Sequence, residues 1–361
     1  MVKDKKMDLQ FKEIMNQLLI TSKSYWENDE LIRLEPIRFF EMPYSNILKV
    51  KLIFKNGCQN IYIKIFKLEQ ETIQMLELDM DSKKPIEVME NKIKIDFEMA
   101  KSLYQEFKKY PGYSTIKPIA VFPQYLAVVS EEIQGENLAK ILEKEAMFYP
   151  TLNTLKTLSS YLNGCGKWLR IFQKITQKEK NGKLNLDSII EYVDIRMKKM
   201  ADNPNVKFSK ILREEVIKYF EKQKRCIKDS DLIISGIHGD FAPVNIIIDG
   251  DRIICSDFNM SMYGSTYHDL TRFYHQLQLF LYKPIFRPKT ILRLQKSFLG
   301  GYGVELDIIS QPIFKLFMIQ HVICHYFGLV MLKRRPWREH LYNKLVCRRH
   351  LQWLIKTIQE D

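Results

Sequence analysis

The sequence predicts an α+β chain in two lobes, an antiparallel sheet with one long helix followed by a mainly helical body. Three observations predict it. Residues 47–66 alternate apolar and polar positions on either side of Asn56-Gly57, as two strands of a hairpin with a type I′ turn would. From Leu138 onward apolar residues recur at helical spacing, and the stretch Ile237–Leu270 interrupts that pattern with a polar loop and a second hairpin. The expected division is 1–35 as a helical extension, 36–133 as the sheet lobe and 134–361 as the helical lobe.

In chain order, Leu9, Phe11, Ile14, Met15 and Leu18 share a helical face, which predicts an amphipathic helix packed on the first lobe. Strands are expected from Ile37. In the strand Ile61–Phe66, Lys64 is the one charge, on the face shared by Tyr62 and Phe66. Residues 68–91 are charged and ambiguous between helix and loop, and are read as a variable insertion. Ile95–Tyr110 reads as a helix with Phe97, Ala100, Leu103, Tyr104 and Phe107 on one side and Pro111-Gly112 as its stop. Strands near 116–122 and 125–130 complete the sheet, and a turn through Gly135 leads into the helical lobe.

The chemistry is concentrated after His238. Asp240 and Asn245 lie five residues apart on a loop that contains Pro243. The β-rich run Ile246–Ile248, the turn signal Asp249-Gly250 and the return strand Arg252–Ser256 then lead to Asp257. A tight hairpin is expected to return Asp257 toward Asn245 although Asp240 and Asp257 are 17 residues apart. Two carboxylates and an amide oxygen suit phosphoryl transfer, in which hard oxygens hold Mg²⁺ on the phosphates and one further carboxylate receives the acceptor's hydroxyl proton.

His-Gly-Asp-Phe-x-x-x-Asn, a hairpin and then Asp257-Phe258, followed by Gly264 and Asp269-Leu270, resembles the aminoglycoside phosphotransferase and choline kinase superfamily. The resemblance implies a bilobal protein-kinase-like fold. It implies ATP or GTP between the lobes with Mg²⁺, Asp240 as general base, and Asn245 and Asp257 on the metal. Lys64 would meet the α- and β-phosphates, and Glu98 of the long helix would orient it, with Glu106 as a rival. Ser45 and Asn46 occupy the place of a phosphate-contacting turn, in a sequence with no GxGxxG, while Glu131 and Ile133 occupy that of an adenine-contacting hinge. Asp269 is expected to fasten the metal loop to the helical body. Two departures stand out. Asn259 replaces an acidic residue found in many relatives, and Gln173 stands where a family helix often continues with His.

The expected reaction is transfer of the γ-phosphate to a hydroxyl of a small molecule such as a sugar, an amino alcohol or an aminoglycoside-like acceptor. A catalytically silent pseudokinase or scaffold is one alternative; a protein kinase is another, against which the missing Gly-rich loop and Ala-Pro-Glu signal argue.

The net charge of +13 is compatible with nucleic acid, anionic membranes or polyanionic substrates, and does not by itself choose among them. Nucleic acid is not the expected partner. The basic run Lys333–Arg338 and Arg348-Arg349-His350 could dock anionic lipid or glycan, or be a solvated helix face. The start Met1–Lys6 has no secretory pattern and the six cysteines have no paired spacing, so the cytoplasm is the expected compartment. Ile313–Leu332 is apolar but carries Lys315, Gln320, His321 and His325, which reads as a buried helix rather than a membrane span. His321, Cys324 and His325 could share one helix face toward a metal, but no second group of ligands is visible in sequence, and core packing is the favoured reading.

Overall fold

A computed structural model describes residues 2–42, 44–68, 85–177, 184–258, 262–331 and 337–360. The chain forms two compact units, one of Met1–Gly135 with Ile247–Met260, the other of Glu136–Ile246 with Ser261–Asp361. The first unit thus includes an excursion from the region expected in the helical lobe, and it takes in the N-terminal helix.

The first unit opens with helix α1 (Val2–Ile20) and the short α2 (Ser22–Tyr25). A five-stranded sheet follows in the order β1-β2-β3-β6-β5. Its strands are β1 (Leu31–Glu41), β2 (Ser45–Phe54), β3 (Gly57–Phe66), β5 (Pro118–Phe122) and β6 (Ala127–Glu131), and all neighbours are antiparallel. Strand structure begins at Leu31, six residues before the expected start.

Alternation decides which face is covered. Phe11, Ile14 and Leu18 of α1 bury against Leu48, Val50, Leu52, Phe54, Ile61 and Ile63. At roughly 25 cal/mol per Å² this apolar contact is the main force holding α1 to the sheet. Lys64 and Tyr62 consequently project from the opposite face, as the period of two requires.

The β2–β3 hairpin forms as expected, but Phe54 pairs with Gly57, which leaves Lys55-Asn56 as the turn. Neither Lys55 nor Asn56 has a positive φ, so the turn is not type I′. Helix α3 (Pro85–Phe107) begins ten residues earlier than the periodicity suggested and absorbs residues 85–91 of the expected insertion. Residues 69–84 lie outside the described residues. Met89 and Ile93 of α3 pack on Phe66 and Leu126, which is why the helix runs through this charged segment. A second, smaller sheet joins β4 (Tyr113–Thr115) in parallel to β10 (Arg252–Cys255), itself the partner of β9 (Ile246–Asp249).

The second unit starts at β7 (Glu136–Asn137) and continues through α4 (Leu138–Glu145), α5 (Leu152–Thr176), α6 (Leu186–Ala201) and α7 (Lys210–Lys224). After the central loop come α8 (Thr266–Gln278), α9 (Pro288–Tyr302), α10 (Pro312–Met331) and α11 (Trp337–Gln359). Strands β8 (Ile234–Ile237) and β11 (Met262–Ser265) pair antiparallel on either side of that loop.

Helix α10 is the one described helix long and apolar enough to cross a membrane. Its Ile313, Leu316, Phe317, Ile319 and Ile323 are buried in a cluster with α6 and α7, the place expected for it. Gln173, where a relative would carry His, is a core residue: its amide donates to the Thr266 carbonyl at 2.8 Å and its oxygen accepts from the Tyr302 hydroxyl at 2.6 Å. None of the six cysteines forms a disulfide.

Candidate active site

The loop His238–Asn245 leaves β8 through Gly239, whose φ of 82° is costly for a residue with a Cβ. Asp269, in the first turn of α8, is fully buried and accepts hydrogen bonds from the backbone N–H groups of His238 at 2.6 Å and Gly239 at 3.0 Å. That is the fastening role expected of it. A carboxylate taking two backbone donors at a helix start also gains from the helix dipole.

Within the loop the structure brings Asp240 and Asn245 together. Asn245 Nδ2 donates to the Asp240 carbonyl at 2.8 Å and to its Oδ2 at 3.2 Å. With its nitrogen committed to Asp240, the Asn245 side chain has its oxygen as the end that could meet a cation. The other oxygen of Asp240, Oδ1, accepts from Arg272 Nη2 at 2.7 Å and Nε at 3.2 Å. Arg272 stands one turn after Asp269 on α8, so a single helix face holds both the backbone and the carboxylate of the loop. Phe241 seals the underside, stacked on Trp168 at 5.3 Å and packed against Phe273 at 5.0 Å.

Asn137 ties the loop to the start of the helical unit. Its Oδ1 caps α4 by accepting from the Ala139 N–H at 3.1 Å, while its Nδ2 donates to the Val244 carbonyl.

In the first unit, Lys64 Nζ meets Asp257 Oδ1 at 2.9 Å. Both side chains keep access to solvent, 24% for Lys64 and 43% for Asp257, so the pair can exchange partners with an incoming anion or cation. Asp257 sits at φ 66°, a left-handed conformation that Asp tolerates better than most residues.

Three expected positions fall differently. Glu98 is exposed on the outer face of α3 and does not pair with Lys64, whose partner is Asp257. The inward-facing carboxylate of that helix is Asp96, two residues earlier, bonded to Lys92 at 2.9 Å. Burial pushes Asp96 up to about 6, although the Lys92 hydrogen bond works against it. The rival Glu106 pairs with Lys109. Ser45 and Asn46 are not turn residues: they are buried in β2, paired with Phe66 and Ile65, and Asn46 Oδ1 has no hydrogen-bond partner.

Glu131 ends β6 with Lys117 at 3.9 Å, and Ile133 is half-buried on the way to Gly135. The polar centre of this segment is Glu132 instead. It accepts from Lys49 at 2.6 Å, Asn60 at 2.7 Å and Tyr62 at 2.9 Å. Burial raises its pKa, but those three hydrogen bonds outweigh burial and hold it below the usual carboxylate range. Asn259 and the run 332–336 lie outside the described residues.

Arg272, Asn137, Glu132 and Asp96 were missed by sequence reasoning. Arg272 had a signal in its helical spacing from Asp269. Asp96 had one too, since the stripe through Met89, Ile93, Phe97 and Ala100 places position 96 inward and 98 outward.

The chain matches no protein-family model, and no curated protein matches it by sequence. Its fold is shared with solved small-molecule kinases. The choline kinase LicA from Streptococcus pneumoniae aligns over 94% of this chain and 99% of its own at 13% identity, with TM-score 0.51. A Plasmodium vivax ethanolamine kinase aligns over 90% and 84% at 14% identity, TM-score 0.55. The aminoglycoside phosphotransferase APH(4)-Ia aligns over 97% and 98% at 10% identity, TM-score 0.58.

Proposed function

We propose, from a fold shared with choline kinases and aminoglycoside phosphotransferases, that this chain is a kinase transferring the γ-phosphate of a nucleoside triphosphate to a hydroxyl of a small molecule. The observation that carries the reading is the Asp240–Asn245 loop, held by Asp269 and Arg272, on a chain that also presents the Lys64–Asp257 pair. Those are the residue types that phosphoryl transfer needs: a carboxylate to take a proton, hard oxygens for a cation and a fixed ammonium for phosphate.

Each role follows from the chemistry of its group. Asp240 accepts the proton of the acceptor hydroxyl, and Arg272 and Asn245 fix the direction in which its carboxylate points. Lys64 binds phosphate oxygens once a nucleotide competes for its ammonium. Asn245 and Asp257 each offer an oxygen of the kind that Mg²⁺ prefers. The metal, when bound, would neutralise the charge of the phosphates. ATP is the favoured donor, since solved relatives of this fold are complexes with AMP-PNP and with ADP.

Asp240→Ala is expected to lower turnover by about 10²–10⁴-fold, the usual contribution of a positioned base, while nucleotide binding measured by calorimetry persists. An ADP-release assay across choline, ethanolamine, sugars and aminoglycosides identifies the acceptor class. Unchanged turnover in Asp240→Ala overturns the role given to that residue. Absence of Mg²⁺-dependent ATP turnover with every acceptor favours the catalytically silent reading.

A further inference from the structure

We propose that His275, His325 and His350 form a binding site for a divalent transition-metal cation, with zinc as the closest chemical fit. The three residues come from three helices, α8, α10 and α11, and one ring nitrogen of each lies within 4.8 Å of the other two. Tertiary packing thus gathers three of the chain's seven histidines at one point. Sequence spacing pointed only to the α10 face with His321, Cys324 and His325; the ligands that complete it arrive from elsewhere.

His275 and His350 lie near-parallel, with centroids 5.4 Å apart and planes at 26°, and His325 stands edge-on to both. His325 and His350 stand nearly perpendicular, with centroids 5.1 Å apart and planes at 76°, and His275 meets His325 at 79° and 5.6 Å. The His325 Nδ1 and His350 Nε2 atoms are 2.9 Å apart and share a proton. Two nitrogens bound to one tetrahedral zinc at about 2.0–2.1 Å are roughly 3.4 Å apart, so a modest opening of this pair and approach of His275 completes the set. The donor of the pair must move its proton to its other ring nitrogen; no imidazole need be deprotonated.

A second observation points the same way. His275 is fully buried and neither of its ring nitrogens has a hydrogen-bond partner. Buried polar atoms without partners are rare in folded proteins, and a cation is one way to use them. His321 is excluded from the set, because its Nε2 is bonded to the His268 carbonyl at 2.9 Å. The half-buried member, His325, marks the side from which a cation could enter.

The site would cross-link three helices of the second unit. Helix α8 also carries Asp269 and Arg272, the latter one turn from His275, so the cation would brace the element that holds Asp240 in place.

The test uses the full chain, stripped with chelator, dialysed against Zn²⁺ with Mg²⁺ in excess, and assayed for retained metal. About one equivalent of zinc is expected in the wild type and in Asp257→Asn. His275→Ala and His350→Ala are expected to retain at least tenfold less, with helical circular dichroism confirming that they fold. If they do not fold, His325→Gln, at the half-buried position, replaces them. Zinc is further expected to raise the wild-type Tm by about 5 °C. Co²⁺ in place of zinc should show a visible tetrahedral band without a near-ultraviolet thiolate band. No retained metal in the wild type, undiminished retention in a folded histidine variant, or a cobalt–thiolate band that assigns the metal to cysteine would each overturn the proposal.

Discussion

Asp240 is the residue on which the proposed chemistry turns, and its neighbours make separate predictions. Arg272→Ala removes a two-pronged contact to Oδ1, and a carboxylate so released samples unproductive directions. A fall in kcat/KM of about 10²-fold is expected, as for other small misplacements of a reacting group. Arg272→Lys should restore little of it, because an ammonium cannot reproduce the planar fork. A KM for nucleotide that rises as steeply as kcat falls would place Arg272 in nucleotide binding instead. Asp269→Ala strands two N–H donors, that of His238 buried and that of Gly239 part-buried, and should destabilise the protein by about 3 kcal/mol in urea denaturation.

In helix α3, packing decides which carboxylate is turned inward. Its inner face is set by contacts with Phe66 and Leu126, and that face carries Asp96 while Glu98 looks outward. Because Asp96 is raised from 3.8 to about 6, the folded protein holds a proton between those values that the unfolded chain releases. Its protonated form favours folding fully below pH 3.8, and that contribution is lost as pH rises through about 6. Asp96→Asn should therefore raise stability at pH 7 by up to about 3 kcal/mol and flatten the pH 4–6 slope of denaturation midpoints. An unchanged slope would show that Asp96 is not the group responsible.

Helices α5 and α9 offer a second test at this scale. Their backbones touch at glycines, and a Cβ on Gly301 would lie 2.0 Å from the Asn163 carbonyl oxygen. Gly301→Ala must push the helices apart, with an expected loss of about 2–4 kcal/mol visible as a lowered denaturation midpoint.

For the whole molecule, the division into two units matters most at Gly135, the last residue of the first unit's main segment. Its φ of 141° suits only glycine, and a Cβ there would approach the Ile248 carbonyl oxygen to 2.5 Å. Gly135→Ala should cost at least about 2 kcal/mol and lower activity along with stability. Wild-type thermal unfolding with full activity in that variant would refute the constraint.

Much of this protein could be read from its residues one stretch at a time. Alternation in 47–66 determined the first hairpin and the face of Lys64, and the loop with Asp240, Asn245 and Asp269 was legible because its residue types and spacing are local. The turn at Lys55-Asn56 and the early start of α3 were not, since pairing register and contacts from distant strands outweigh local propensity. Only the tertiary structure decided that Lys64 pairs with Asp257 rather than Glu98, that Arg272 holds Asp240, and that His275, His325 and His350 converge. Each of those depends on side chains carried to one point by separate elements, and periodicity within an element contains no information about what another element brings to meet it.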